Sequence, residues 1–325
     1  MAATRDFLTY ADGAPDRAQA VVFDGARRVA VRELALTPAG RDDVVVDVAW
    51  SGVSAGTERL LWSGDMPPFP GHGYPLVPGY ESVGRIVAGP DQSLVGRLAF
   101  APGATCYEDA YGLFGGAASR LVAPAARVTP VPDELGERAT LLALAATARR
   151  AVRGLEGRGP QLIVGHGALG RLVARIARAL GGPDAVFWEV EPARAVEDGF
   201  PVRRAEDDPC TSYETIVDVS GDADALDRLI GRLARGGDIV LAGFYAKRVS
   251  FAFPPAFMKE ARLRVSAEWA PEDLQDVLRL VSDGDVSLDG LVTHRRAAAD
   301  AVDAYETAFG DPSCLKMILD WRRPQ

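Results

Sequence analysis

The sequence predicts an α/β protein in two parts, a β-rich region and, set into it, a doubly wound parallel-sheet domain. Three observations predict this. The chain has 325 residues, and single hydrophobic cores stop growing at roughly 250 to 300 residues. Its first part, up to about residue 135, reads as short apolar runs broken by Gly, Pro and Asp, the pattern of strands and turns. Beyond that, strand-like runs alternate with Ala- and Leu-rich stretches, which implies a parallel sheet with helices on both faces.

The elements follow in order. Residues 1–17, rich in Ala, Asp and Pro, read as a flexible extension. Strands are expected over 20–23, 29–36, 44–48, 82–87, 98–101 and 119–122. Between them, 67–79 holds five prolines and three glycines, so it is a loop, and loops carry sites. Residues 137–152 lack Gly and Pro and read as one helix. Strand 161–164, helix 170–180, strand 185–188, strand 215–219, helix 223–234 and strand 238–242 form the alternation. Helix 297–308 and strand 315–319 close the chain. The expected division is therefore an extension, 1–17, a β-rich domain, 18–145, an α/β domain, 146–285, and a C-terminal return to the β-rich domain, 286–325.

Lys plus Arg number 36 against 45 Asp plus Glu, a net charge of −9. That balance argues against a nucleic-acid partner, whose phosphates require clustered cations. Cys106, Cys210 and Cys314 are isolated, with neither a CxxC nor a disulfide framework, and fit a reducing cytoplasm. No apolar run approaches the ~18 residues of a membrane span, and the start lacks an apolar core of signal-peptide length. Peripheral membrane contact and oligomerisation stay open.

The most informative motif is Gly165-His166-Gly167-Ala168-Leu169-Gly170, which follows the apolar run Leu162-Ile163-Val164 and opens a helix. In this context GxGxxG is the dinucleotide-binding turn of a Rossmann domain. Gly165 permits the tight turn, Gly167 admits the pyrophosphate, and Gly170 allows close helix–strand packing. The free N–H groups at the helix start, Ala168 and Leu169 included, face the phosphates. Glu189 lies about 20 residues beyond Gly170, where the ribose-binding acid belongs. A carboxylate there repels a 2′-phosphate, so the expected cofactor is NAD. Glu191 is an alternative acid, and Arg194 is a nearby cation that would tolerate a 2′-phosphate. His166, between the glycines, reads as incidental to catalysis.

Three further segments resemble the medium-chain dehydrogenase/reductase family. Pro78-Gly79-Tyr80-Glu81-Ser82-Val83-Gly84 is similar to its Gly-His-Glu segment. Val217 to Gly221, Leu233 to Gly237 and Val240 to Gly243 are similar to the second half of its Rossmann domain. Leu291 to His294, Ala304-Tyr305 and Leu315-Lys316 resemble its closing segment. The resemblance runs from about Gln19 to the end and implies a GroES-like β-rich catalytic domain with the Rossmann domain inserted. It adds Thr147, Ser220 and Gly243 to the cofactor-binding candidates.

Where zinc-dependent members carry ligands, this chain has Ser54, Tyr80 and the apolar run 142–146. Neutral Ser and Tyr are poor zinc ligands beside thiolate and imidazole. Cys106 alone falls in the region of the structural zinc lobe, so no metal is expected. Trp50 to Glu58, Leu61 to Gly64, Met66 to Gly71, Pro102 to Asp109 and Phe251 to Met258 resemble a pigment-processing branch of the family. That resemblance implies NAD-dependent oxidation of the C3 1-hydroxyethyl group of a bacteriochlorophyllide-type macrocycle to acetyl, late in bacteriochlorophyll a synthesis.

Oxidising a secondary alcohol without zinc requires another route for the O–H proton. The candidates are Ser54, Thr57, Glu58, Tyr80 and Glu81. Tyr80 is favoured as the acid/base group, with Ser54 relaying the proton and Glu58 or Glu81 setting its environment. Trp62, Met66, Phe69, Tyr74, Phe114 and Phe257 are candidates to line an apolar cleft, and Arg59 or Lys247 to meet a propionate. Zinc-free quinone and enoyl reductases of the same family are the alternative; they prefer NADPH, which Glu189 disfavours.

Overall fold

The computed structural model describes residues 17–68, 71–196 and 198–322. The extension expected over 1–17 lies outside these except for Arg17, and Phe69 lies outside them altogether. The chain forms two compact units. One runs up to Leu141 and resumes at Val292; the other is Leu142–Leu291.

In the first unit, β1 (Arg17–Gly25) and β2 (Arg28–Ala35) form an antiparallel pair. The long strand β3 (Asp43–Val53) follows, then the short helix α1 (Thr57–Ser63), which stops at Gly64 in the left-handed region, φ 83°. Next come β4 (Ser82–Ala88), β5 (Leu98–Ala101), β6 (Arg120–Pro124) and β7 (Thr129–Pro130). Strand β3 is the hub, because β4 and β6 both pair with it in antiparallel register. The stretch 65–79 forms no strand or helix among its described residues, as its prolines require.

The second unit opens with α2 (Leu142–Val152) and β8 (Leu162–Val164), then α3 (Ala168–Ala179), β9 (Val186–Trp188), β10 (Val202–Arg203) and β11 (Tyr213–Asp218). Helix α4 (Leu226–Gly231), β12 (Leu233–Leu241), α5 (Phe253–Lys259), β13 (Arg262–Val265) and α6 (Pro271–Ser282) complete it. Its six strands are all parallel, in the order β10-β9-β8-β11-β12-β13. The order reverses between β8 and β11, and ligands of such sheets bind outside the strand ends at that reversal. The chain then returns to the first unit as β14 (His294–Ala297), α7 (Ala301–Gly310) and β15 (Met317–Asp320), with β15 antiparallel to β3.

Two helix expectations need correction. Residues 137–141 belong to a 3₁₀ stretch, Asp133–Leu141, interrupted at Gly136, and the α-helix starts only at Leu142. The Thr140 hydroxyl donates to the Glu137 carbonyl at 2.7 Å, competing for the acceptor an α-turn would use. The helix expected over 223–234 shrinks to α4, because buried Leu233 pairs with Tyr213 as the start of β12. Tertiary packing overrides local propensity there. Among the described residues no helix is long and apolar enough to cross a membrane.

Candidate functional site

In the first unit, the end of β3, α1 and the turn before β4 bring the expected acid/base residues together. The Ser54 and Tyr80 hydroxyls are 2.6 Å apart, a short hydrogen bond. Ser54 is buried and Tyr80 partly exposed, its ring edge-on to Phe114 with centroids 5.1 Å apart. Burial pushes the Tyr80 phenol well above its ordinary value, and the Glu81 charge adds to this. Hydrogen bonding from Ser54, the Glu58 charge and hydrogen bonding from Thr57 enter after these, the hydroxyls opposing the rise.

Glu58 is fully buried at the start of α1. It accepts from the Ser54 N–H at 3.0 Å and from the Tyr305 hydroxyl of α7 at 2.8 Å. Burial pushes its carboxyl up to about 7, against the pull of those two donors. Glu81, also buried, accepts from the Lys316 ammonium at 2.8 and 2.6 Å, and the same ammonium donates to the Val53 carbonyl at 3.2 Å. Burial raises the Glu81 carboxyl, and Lys316 opposes the rise. Room for this carboxylate comes from Gly52, where a Cβ would lie 2.1 Å from Glu81 Oε2.

Tyr305 and Lys316 appear in the sequence only as parts of the closing segment, with no role attached. The available signal was a lone Lys leading into the apolar run Met317-Ile318-Leu319, and Lys316 is only 2% exposed. Of the cleft candidates, Phe114 does meet Tyr80. Met66 is buried in the core of the first unit and Trp62 and Tyr74 pack against it, while Phe257 is 66% exposed on α5. Arg59 and Lys247 are exposed. Among the described residues no group of three or more His, Cys, Asp or Glu is arranged to hold a metal ion.

In the second unit, the glycine turn is tight and leaves the start of α3 open. Gly165 has φ 101°, a Cβ on Gly170 would lie 2.1 Å from the Gly165 carbonyl oxygen, and one on Gly167 would meet nothing. Gly167 caps α3 without a side-chain bond, so the N–H groups of Ala168, Leu169 and Gly170 lack helical acceptors. Glu189, 8% exposed, sits just past β9. Its Oε1 accepts from the N–H groups of Val190 (2.8 Å) and Glu191 (2.9 Å), and its Oε2 from that of His166 (2.8 Å). A carboxylate has about four acceptor positions, so one on Oε2 is left over from these three bonds. Glu191 instead accepts from the Ala193 N–H at 3.3 Å.

Glu189 lines a groove of about 410 Å³ with Val190, Pro192, Ala195, Arg203 and Arg204. The Arg194 carbonyl faces the His166 ring. Ser220 and Gly243 meet at Asp218, at the end of β11. The Ser220 hydroxyl donates to the Asp218 carboxylate at 2.7 Å and the Gly243 N–H to the Asp218 carbonyl at 3.0 Å. Thr147, on α2, donates to the Ala143 carbonyl at 2.9 Å.

Residues 40–133 match the alcohol dehydrogenase GroES-like domain family. The chain is 53% identical to the 2-desacetyl-2-hydroxyethyl bacteriochlorophyllide A dehydrogenase of Rhodobacter capsulatus, over 94% of this chain and 98% of that protein. It is 50% identical to the protein of the same name from Cereibacter sphaeroides, over 94% and 99%. Its fold is similar to that of 2R,3R-butanediol dehydrogenase from Bacillus subtilis, with TM-score 0.81, 20% identity and coverage of 94% and 100%. It is likewise similar to acetophenone reductase from Geotrichum candidum in complex with NAD, with TM-score 0.81, 19% identity and coverage of 94% and 98%. The chain therefore belongs to the family of the 2-desacetyl-2-hydroxyethyl bacteriochlorophyllide A dehydrogenases, within the medium-chain dehydrogenases built on a GroES-like domain.

Proposed function

We propose that this chain oxidises the C3 1-hydroxyethyl group of a bacteriochlorophyllide-type macrocycle to acetyl with NAD, without a metal, as a late step of bacteriochlorophyll a synthesis. The observation that carries the reading is the identity of 53% over nearly the full length to a dehydrogenase named for that side chain. NAD, when bound, supplies the hydride acceptor. The N–H groups at the start of α3, with Gly165 and Gly167, would hold its pyrophosphate, and Glu189 a ribose hydroxyl.

The protein's own task is the O–H proton. Tyr80, its phenol raised far above the ordinary value by burial, stays protonated at neutral pH and is no standing base. It acts instead by exchange. Tyr80 Oη takes the carbinol proton as its own proton passes to Ser54 Oγ, 2.6 Å away, and the Ser54 proton leaves toward solvent. Thr57 orients the phenol. Glu58, and Glu81 with its Lys316 partner, set the environment of the Tyr80–Ser54 pair. Cysteines far apart in the sequence and outside any disulfide support action in a reducing cytoplasm.

Incubation with NAD⁺ and a 3-(1-hydroxyethyl) bacteriochlorophyllide tests the reading. A red-shifted acetyl product, with one NADH per pigment, is expected. No turnover with either NAD⁺ or NADP⁺ would overturn the activity, and turnover with NADP⁺ alone would overturn the cofactor.

A further inference from the structure

His166 occupies a variable place in the glycine turn, yet its side chain is fully buried and fully engaged. Nδ1 lies 2.8 Å from the Arg194 carbonyl oxygen and Nε2 3.1 Å from Asp198 Oδ1. The ring thus spans two oxygens, one from the main chain and one from a carboxylate. The Arg171 guanidinium approaches Nδ1 only to 3.5 Å. It donates instead to the His166 carbonyl and to Asp198 Oδ2, each at 3.2 Å, and Arg175 stands 3.5 Å from the same carboxylate. Burial would raise the Asp198 carboxyl, but the His166 bond and the two arginines hold it below its ordinary value.

His166 thereby fastens three pieces of the second unit to one another. Its backbone N–H holds Glu189 Oε2 at 2.8 Å. Its carbonyl holds Arg171 of α3, and its ring meets Arg194 and Asp198 in the stretch beyond Glu189. That segment supplies Pro192 and Ala195 to the groove of about 410 Å³ beside Glu189. We propose that His166 is a positioning residue for the adenosine half of the dinucleotide, fixing the Pro192 and Ala195 side of its groove and the orientation of Glu189. The inference rests on the reading that this unit binds NAD.

His166→Ala removes the ring but keeps the backbone N–H. Calorimetric titration of the intact variant with ADP-ribose and with nicotinamide mononucleotide separates the two halves of the cofactor. ADP-ribose is expected to bind about tenfold more weakly, roughly the loss of one net charge-assisted hydrogen bond, with mononucleotide affinity unchanged. KM for NAD should rise by the same factor while kcat holds, and amide exchange should quicken over 190–198. Asp198→Asn keeps an acceptor oxygen for the ring, and should show a smaller loss in the same direction. Unchanged ADP-ribose affinity in both variants, or an equal fall for both half-ligands, would overturn the proposal. Wild-type protein that binds neither ADP-ribose nor NAD would overturn the cofactor reading itself.

Discussion

Lys316 and Glu81 form an ion pair with both side chains buried, Nζ lying 2.6 Å from Oε2. Because Lys316 also donates to the Val53 carbonyl, it ties the return segment to the end of β3 and to the turn that carries Tyr80. A buried pair of this kind adds little net stability over an apolar pair, but breaking it strands a charge. Lys316→Met should therefore destabilise the protein by about 3 to 5 kcal/mol. Adding Glu81→Gln should restore most of the loss. Urea unfolding at pH 7 of both variants checks this, and a single variant as stable as wild type would contradict it.

Glu58 makes stability depend on pH. Its folded carboxyl sits at about 7, above the ordinary 4.5, mainly through burial. Between those values the folded state holds a proton that the unfolded chain has released, so stability falls as pH rises across that window. Glu58→Gln keeps an acceptor for the Ser54 N–H and removes the titration. The variant should gain on wild type from pH 5 upward, by about 3 kcal/mol at most above pH 7. Parallel pH profiles of thermal unfolding would count against this.

Glu189→Ala should weaken NAD⁺ binding by about 1 to 3 kcal/mol, the usual worth of charged hydrogen bonds. It should also move the ratio toward NADP⁺. Binding titrations with both cofactors decide, and a wild-type preference for NADP⁺ would show that Glu189 does not govern the ribose.

Protein prepared without added zinc is expected to contain no stoichiometric metal, and chelators to leave activity intact. The Ser54 and Tyr80 hydroxyls bond to each other, and neutral hydroxyls are poor zinc ligands beside thiolate and imidazole. Elemental analysis finding one zinc per chain, lost together with activity, would contradict the metal-free route.

The fold class was readable because each part declares itself locally. The strand before Gly165 and the spacing to Glu189 mark a candidate nucleotide-binding turn, and prolines keep helix and strand out of the described residues of 65–79. Short elements were not readable. Strand β10 has two residues, and α5 begins across Pro254 and Pro255, so neither builds a periodic pattern. Side-chain partners distant in sequence stayed hidden for a different reason. Tyr305 meets Glu58 across 247 residues and Lys316 meets Glu81 across 235, separations that no spacing rule reaches. The ring partners of His166 stayed hidden too, 28 and 32 residues away with no motif to mark them.

The Tyr80–Ser54 exchange is tested most directly by single-turnover kinetics of Tyr80→Phe, with NAD⁺ saturating and a 3-(1-hydroxyethyl) bacteriochlorophyllide as substrate. Phenylalanine keeps the ring against Phe114 and removes only the hydroxyl that meets Ser54. General acid–base help is worth ~10² to 10⁴ in rate, so formation of NADH and acetyl pigment should slow by about that factor, with NAD⁺ affinity unchanged. Ser54→Ala should cost less, since water can replace a hydroxyl in the chain. Equal single-turnover rates for Tyr80→Phe and wild type would contradict the account and move the proton's acceptor to Glu58 or Glu81.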